Sequence, residues 1–206
     1  MSFINELNKV QQDAVKSVEG PVMIVAGAGS GKTRVLTYRV AYLISIGVPA
    51  YQILVLTFTN KAADEMKKRI VSLVGDKSFQ LWMGTFHSMF ARLLRQECEA
   101  LGFSRNFTIY DTEDSLNLVK NIQHTLNINT QQFKPKAVYS KISSAKNKLI
   151  YPDEFETNAR DLFTQEAARV YLEYQKLLKQ NNAMDFDDLL LKPIELFEKH
   201  PKTLSK

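Results

Sequence analysis

The sequence predicts an α/β protein with a parallel sheet and helices on both faces over residues 1–105, followed by a mostly helical part over 106–206. Three observations carry that reading. Short apolar runs, Val22 to Ala26, Ile53 to Phe58 and Phe79 to Met83, each lead into a stretch of helical character, and strand alternating with helix in this way is the pattern of a parallel sheet. The first run is almost continuously apolar, as a strand covered on both faces must be. Beyond Gly102 the alternation stops and helix-forming sequence takes over.

The elements follow in order. Asn8 is placed to cap a short helix through Val18, with Val10, Ala14 and Val15 on one face, and Gly20 and Pro21 break it. After the strand at 22–26 comes a glycine-rich loop and a helix over 31–46 that carries Val35, Leu36, Val40, Leu43 and Ile44 and closes at Gly47. The second strand leads to a helix from Asn60 to Val74 with Ala62, Ala63, Met66 and Ile70 on its apolar face. The third leads to a helix over 85–100. In the second half Phe107 to Tyr110 is the one expected strand, and Asp111 caps a helix from Thr112 to Leu126. Further helices are expected at Pro135 to Leu149, Pro152 to Ala159, Gln165 to Gln180 and Phe186 to Lys199.

Bulk properties narrow the function. A balance of 27 basic against 22 acidic residues, a formal charge of +5, mildly favours an anionic partner. Cys98 is the only cysteine, which excludes an internal disulfide and a cysteine-rich metal site and fits a reducing compartment. The opening MSFINELNKVQQDAV contains Glu6 and Asp13 and no long apolar core, which argues against a signal peptide. No stretch approaches the ~20 apolar residues that span a bilayer. A cytoplasmic protein without a membrane partner is expected.

The loop AGAGSGKT, Ala26 to Thr33, carries the first chemistry. A triphosphate is held best by inward-pointing backbone N–H groups and the positive end of a helix, with glycines allowing close approach. Gly27, Gly29 and Gly31 supply that freedom, Lys32 reaches the terminal phosphates, and the Thr33 hydroxyl holds Mg2+. Alanine at 26 replaces the usual first glycine. A dinucleotide fold fits poorly, because the position of its third glycine is occupied by Lys32.

The loop keeps specific company. LNKVQQDAV at 7–15, AGAGSGKTRVL at 26–36, TFTNKAADEMKKRI at 57–70 and GTFHSMFARLLR at 84–95 follow one another in order. Together they resemble the opening motifs of the UvrD/Rep/PcrA family of superfamily 1 DNA helicases. The resemblance continues through ISSAKNKLIYP at 142–152 and MDFDDLL at 184–190. It implies an incomplete RecA-like motor domain with an inserted helical subdomain facing DNA. It also implies ATP and Mg2+ as cofactors, single-stranded and junction DNA as partners, and three-prime to five-prime translocation by the full-length protein.

Carried over residue by residue, the resemblance assigns Gln11 to the adenine edge, which its amide suits by both donating and accepting. Arg34 lies against the adenine ring, as a planar guanidinium can. With Ala28, Gly29, Ser30, Gly31, Lys32 and Thr33 these residues complete the nucleotide site, Lys32 and Thr33 being the catalytic members. The TFTN and GTFH segments resemble those that touch single-stranded DNA, through Phe58, Thr59 and Asn60 and through Thr85, Phe86 and His87. Strand ends in an open parallel sheet share a rim, so the two groups form a single track of stacking and hydrogen-bonding side chains. On the residues alone, Phe86 reads as core, and His87 reads equally well as a helix-start histidine bonded to nearby backbone or as a binding residue. Between Phe133 and Tyr151 stand Lys134, Lys136, Lys141, Lys146 and Lys148 with no acidic residue, a pattern suited to phosphate neutralisation. Lys146, in ISSAKNK, is assigned to DNA. Asp185, Asp187 and Asp188 read as helix-start carboxylates favoured by the helix dipole.

The family's acidic DEXQD segment, which holds Mg2+ and positions the attacking water, follows the DFDDLL helix in relatives. Here LLLKPIELFEKHPKTLSK reads as helix and tail. The expectation is therefore the front portion of a longer helicase, inactive alone in ATP hydrolysis. Its incomplete sheet has exposed edges that invite self-association. A subunit of a helicase–nuclease recombination complex, a non-catalytic nucleotide or nucleic-acid-binding module and, more weakly, a small-molecule kinase are the alternatives.

Overall fold

The computed structural model describes residues 2–204. It divides after Met89 into two compact units, so the change of sequence character near Gly102 falls inside the second.

In the first unit, α1 (Lys9–Lys16) starts from a reciprocal cap: the Asn8 side chain accepts the Gln11 N–H, and the Asn8 N–H donates to the Gln11 side chain. Then come α2 (Lys32–Ser45), β1 (Leu54–Thr57), α3 (Asn60–Val74) and β2 (Trp82–Thr85), while α4 (Phe86–Glu97) begins in this unit and ends in the second. β1 and β2 pair in parallel, from Leu54 opposite Trp82 to Thr57 opposite Thr85. Parallel neighbours need a crossover, and α3 provides it. Val40, Ile53, Met66, Ile70 and Leu81 are buried together between these elements. Leu7, Val15, Val35 and Tyr38 form a second cluster that anchors the N-terminal segment on α2.

The strand expected at Val22 to Ala26 does not form. Residues 21–27 lie outside every helix and strand, and Met23 and Val25 are 86% and 85% exposed. Apolar composition favours a buried strand, but its N–H and C=O groups also need ladder partners. Among the described residues of this unit, β1 and β2 pair only with each other. β2 also begins at Trp82 rather than Phe79, since a 3-10 segment, Gly75–Gln80, occupies the approach.

The second unit contains β3 (Thr108–Tyr110), α5 (Thr112–Thr125), α6 (Pro135–Lys146), α7 (Pro152–Thr157), α8 (Leu162–Gln180), β4 (Ala183–Asp185) and α9 (Phe186–Lys199). β4, unexpected from the sequence, pairs in parallel with β3, Tyr110 opposite Asp185. Val119, Ile142, Ala167, Tyr171 and Tyr174 join α5, α6 and α8 in one core. The architecture is mixed α/β with short parallel sheets, predominantly helical in its second half.

One predicted site residue moves indoors. Lys146, assigned to DNA, is fully buried. Its Nζ lies 2.7 Å from Asp185 Oδ2 and 3.0 Å from Asp188 Oδ1, so the ammonium is unavailable to a phosphate. The Tyr174 hydroxyl donates to Asp185 Oδ2 at 2.9 Å and Gln175 Nε2 to Asp188 Oδ1 at 3.2 Å. Asp185 also caps α9, its Oδ1 accepting the Asp188 N–H at 2.8 Å. Burial works to lower the Lys146 pKa, but Asp188 and Asp185 outweigh it and hold the group above its ordinary value. Burial raises the Asp188 carboxyl against the pull of Lys146. It also pushes the Tyr174 hydroxyl up, aided by Asp185, and keeps it a donor.

Removing one partner from such a network leaves buried charge uncompensated. Lys146→Met is expected to cost about 3–5 kcal/mol in urea unfolding; a cost near zero would place the ammonium in solvent. A raised folded-state pKa stabilises fully below the unfolded value of 10.5 and is lost as pH rises through the folded value. The stability gap between wild type and variant is therefore expected to hold at neutral pH and narrow in alkali.

Candidate nucleotide site and nucleic-acid rim

The phosphate loop enters α2 through Gly31, which takes the N-cap position at φ +88° without a side-chain cap bond. The first N–H groups of the helix thus point into the loop, where an anion is favoured. Gly29 is also left-handed, at φ +75°. Lys32 Nζ donates to the carbonyls of Ala26 at 2.8 Å and Gly27 at 2.7 Å, so the ammonium folds over the loop instead of running out into solvent. Ser30 Oγ donates to the Gly27 carbonyl at 2.6 Å. Thr33 follows on the first turn of α2, exposed. A lysine ammonium at the start of a helix suits a polyphosphate, and a neighbouring threonine hydroxyl suits Mg2+. No group of three or more His, Cys, Asp or Glu side chains gathers among the described residues.

Gln11 reaches this loop from α1. Its Nε2 donates to the Ser30 carbonyl at 3.1 Å while its Oε1 accepts from the Asn8 N–H at 3.2 Å. One amide therefore closes the helix cap and touches the loop, a double role hidden from the sequence. Ala28 lies exposed between these contacts. Arg34 Nη2 donates to the Glu6 carbonyl at 3.1 Å and the Glu6 carboxylate at 3.3 Å. Tyr38 also contacts Arg34, and the sequence motifs assign neither it nor Glu6 to the site. Arg34 also borders an open cleft of about 320 Å³ with Thr37, Tyr38, Arg69, Ser72 and Leu73.

The second cluster lies where β1 and β2 end. Because Thr57 stands opposite Thr85, the following residues, Phe58 and Phe86, emerge side by side with ring centres 5.8 Å apart. Phe58 is 92% exposed, and Thr59 and Asn60 are exposed beside it. Thr59 caps α3, its Oγ1 accepting the Ala62 N–H at 3.2 Å. Thr85 reaches the same rim through its backbone, but its side chain is only 7% exposed. It exchanges hydrogen bonds with Ser88: the Thr85 N–H donates to Ser88 Oγ at 2.9 Å and the Ser88 N–H to Thr85 Oγ1 at 3.2 Å. His87 is half-buried in the first turn of α4. Thus Phe58, Thr59, Asn60 and His87 come together at the rim, Thr85 shapes it from below, and Lys146 is elsewhere.

Residues 7–206 match the family described as the UvrD/REP helicase N-terminal domain. The chain belongs to this family. It is 46% identical over 203 residues to the ATP-dependent DNA helicase PcrA of Bacillus subtilis (strain 168). It is 47% identical over 204 residues to the ATP-dependent DNA helicase PcrA of Staphylococcus aureus (strain NCTC 8325 / PS 47). Each alignment covers 98% of this chain and 28% of the relative, so the chain spans little more than a quarter of the length of the helicases it matches.

In the phosphate loop of this UvrD/REP domain the two left-handed glycines separate two costs. A Cβ on Gly29 meets open space, whereas one on Gly31 would lie 2.9 Å from Gln11 Nε2. Gly29→Ala is expected to destabilise by about 1 kcal/mol through backbone strain alone. Gly31→Ala is expected to cost more, because the Gln11 amide must also move. Thermal unfolding of the two variants checks the order; equal losses would mean that Gln11 does not pack on the loop.

Proposed function

We propose that this chain is the nucleotide- and DNA-binding opening portion of an ATP-dependent DNA helicase that translocates three-prime to five-prime along single strands. The parallel register of β1 and β2 carries the reading: it sets TFTN and TFHS at one rim of the unit that also holds the phosphate loop. Lys32 and the N–H groups of residues 28–33 bind the phosphates, Thr33 takes Mg2+, Gln11 contacts the adenine edge and Arg34 its face. Phe58 and its neighbours hold a DNA strand by stacking and backbone contact without reading sequence. In the second unit Lys134, Lys136, Lys141 and Lys148 remain exposed. Lys141 and Lys148 line a cleft of about 350 Å³ with Arg160, suited to phosphates of single-stranded or junction DNA.

Among the described residues no helix is long and apolar enough to cross a membrane, and the free, buried Cys98 suits a reducing, cytoplasmic setting. The unpaired segment 22–26, with Val22, Met23 and Val25 exposed, favours self-association.

Two titrations test the reading. Mg·ATP binding is expected to fall at least about tenfold in Lys32→Ala, the loss of one charge-assisted contact. Binding of a short oligo-dT is expected to weaken by about 1–3 kcal/mol in Phe58→Ala and to decline with salt. Unchanged nucleotide affinity in Lys32→Ala, or oligo-dT affinity indifferent to Phe58, would refute the corresponding half.

A further inference from the structure

We propose that Glu6 and Tyr38 are positioning residues for the base end of the nucleotide site, fixing the Arg34 guanidinium in the orientation that receives a nucleobase. The inference rests on the nucleotide-site reading above. The described hydrogen bonds of the Arg34 side chain pass through one nitrogen: Nη2 donates to the Glu6 carbonyl at 3.1 Å, to Glu6 Oε2 at 3.3 Å and to the Tyr38 hydroxyl at 3.5 Å. The Tyr38 hydroxyl in turn donates to the same Glu6 carboxylate oxygen, and its ring centre lies 5.3 Å from the guanidinium carbon. The three groups form a closed triangle.

The triangle has a fixed base. Tyr38 is buried in the cluster of Leu7, Val15 and Val35, and Phe3 packs against its ring at 6.0 Å between centres. Glu6 ends a 3-10 segment held by the buried side chains of Ile4 and Leu7, so its backbone carbonyl is placed by apolar packing rather than by its own charge. Arg34 is 45% exposed and Glu6 58%, and an ion pair so open to solvent adds little to stability. What it changes is freedom. An exposed arginine loses many rotamers when a ligand fixes it, and one already fixed loses fewer. Holding the group through Nη2 leaves the planar face of the guanidinium for stacking on a base.

The ligand class this device acts on is the base of a nucleoside triphosphate and not its phosphate chain, which sets the test. Mg·ATP and Mg·tripolyphosphate are titrated into wild type, Glu6→Ala, Glu6→Gln, Tyr38→Phe, Arg34→Ala and Glu6→Ala/Arg34→Ala, with thermal unfolding to confirm that each is folded. Glu6→Ala is expected to weaken Mg·ATP by about three- to tenfold, with Tyr38→Phe smaller in the same direction. Glu6→Gln, which keeps an acceptor, recovers part of the loss. Tripolyphosphate affinity stays constant throughout, and Glu6→Ala adds nothing once Arg34 is alanine. Equal losses for both ligands, a Glu6 effect that persists without Arg34, or unchanged Mg·ATP affinity in Glu6→Ala would overturn the positioning role. If Arg34→Ala weakens Mg·ATP and Glu6→Ala does not, only this inference falls. If wild type binds neither ligand, or Arg34→Ala leaves Mg·ATP untouched, the base-site reading falls with it.

Discussion

Strands that run the same way must finish at the same edge, and the register of β1 with β2 turns that constraint into a site. With Thr57 opposite Thr85, each strand ends in a Thr-Phe pair, and each chain then turns at once into a helix. Thr59 caps the first helix, and the Thr85–Ser88 exchange holds the start of the second. A slip of one residue in either strand would send Phe58 or Phe86 to the opposite face and separate the rings. The aromatic pair, Phe58 exposed and Phe86 half-buried, is thus a consequence of backbone pairing.

The two units use charge in opposite ways. In the first, Lys32 and Arg34 stay at the surface, steered by carbonyls and by Glu6. In the second, Lys146 is sealed between Asp185 and Asp188 and joins α6 to the β4–α9 junction. Such a network contributes less to net stability than to geometry: it fixes where α6 ends and α9 begins. The neighbouring lysines at 134, 136, 141 and 148 are presented on that frame with their charges in solvent. One lysine of the run builds the scaffold, and the others face outward from it.

What the sequence revealed follows from the range of the forces involved. Helices whose limits are set by adjacent residues were legible: α3 from Asn60 to Val74, α9 from Phe186 to Lys199, and α5 starting after the Asp111 cap. The shared rim was legible too, because parallel topology alone requires it. Segment 22–26 was misread because its apolar run has no ladder partner among the described residues, and composition does not report partners. β4 was missed since three residues, Ala183 to Asp185, carry no period, and only β3 some 70 residues earlier makes them a strand. Lys146 was misplaced for the same reason: its counter-charges stand far along the chain, and nothing local distinguishes it from Lys141 or Lys148. The Glu6–Tyr38–Arg34 triangle was likewise invisible until α2 brought its members together.

In the proposed function one compact unit carries two separate sites, a polyphosphate loop and a DNA rim. The most direct measurement is a residue-resolved map of backbone amide chemical shifts recorded with Mg·ATP and then with oligo-dT. Mg·ATP is expected to perturb Gln11 and residues 27–34, and oligo-dT residues 58–60 and 85–88. Nucleotide shifts that avoid the loop, or oligo-dT shifts confined to the lysines of the second unit, would contradict it.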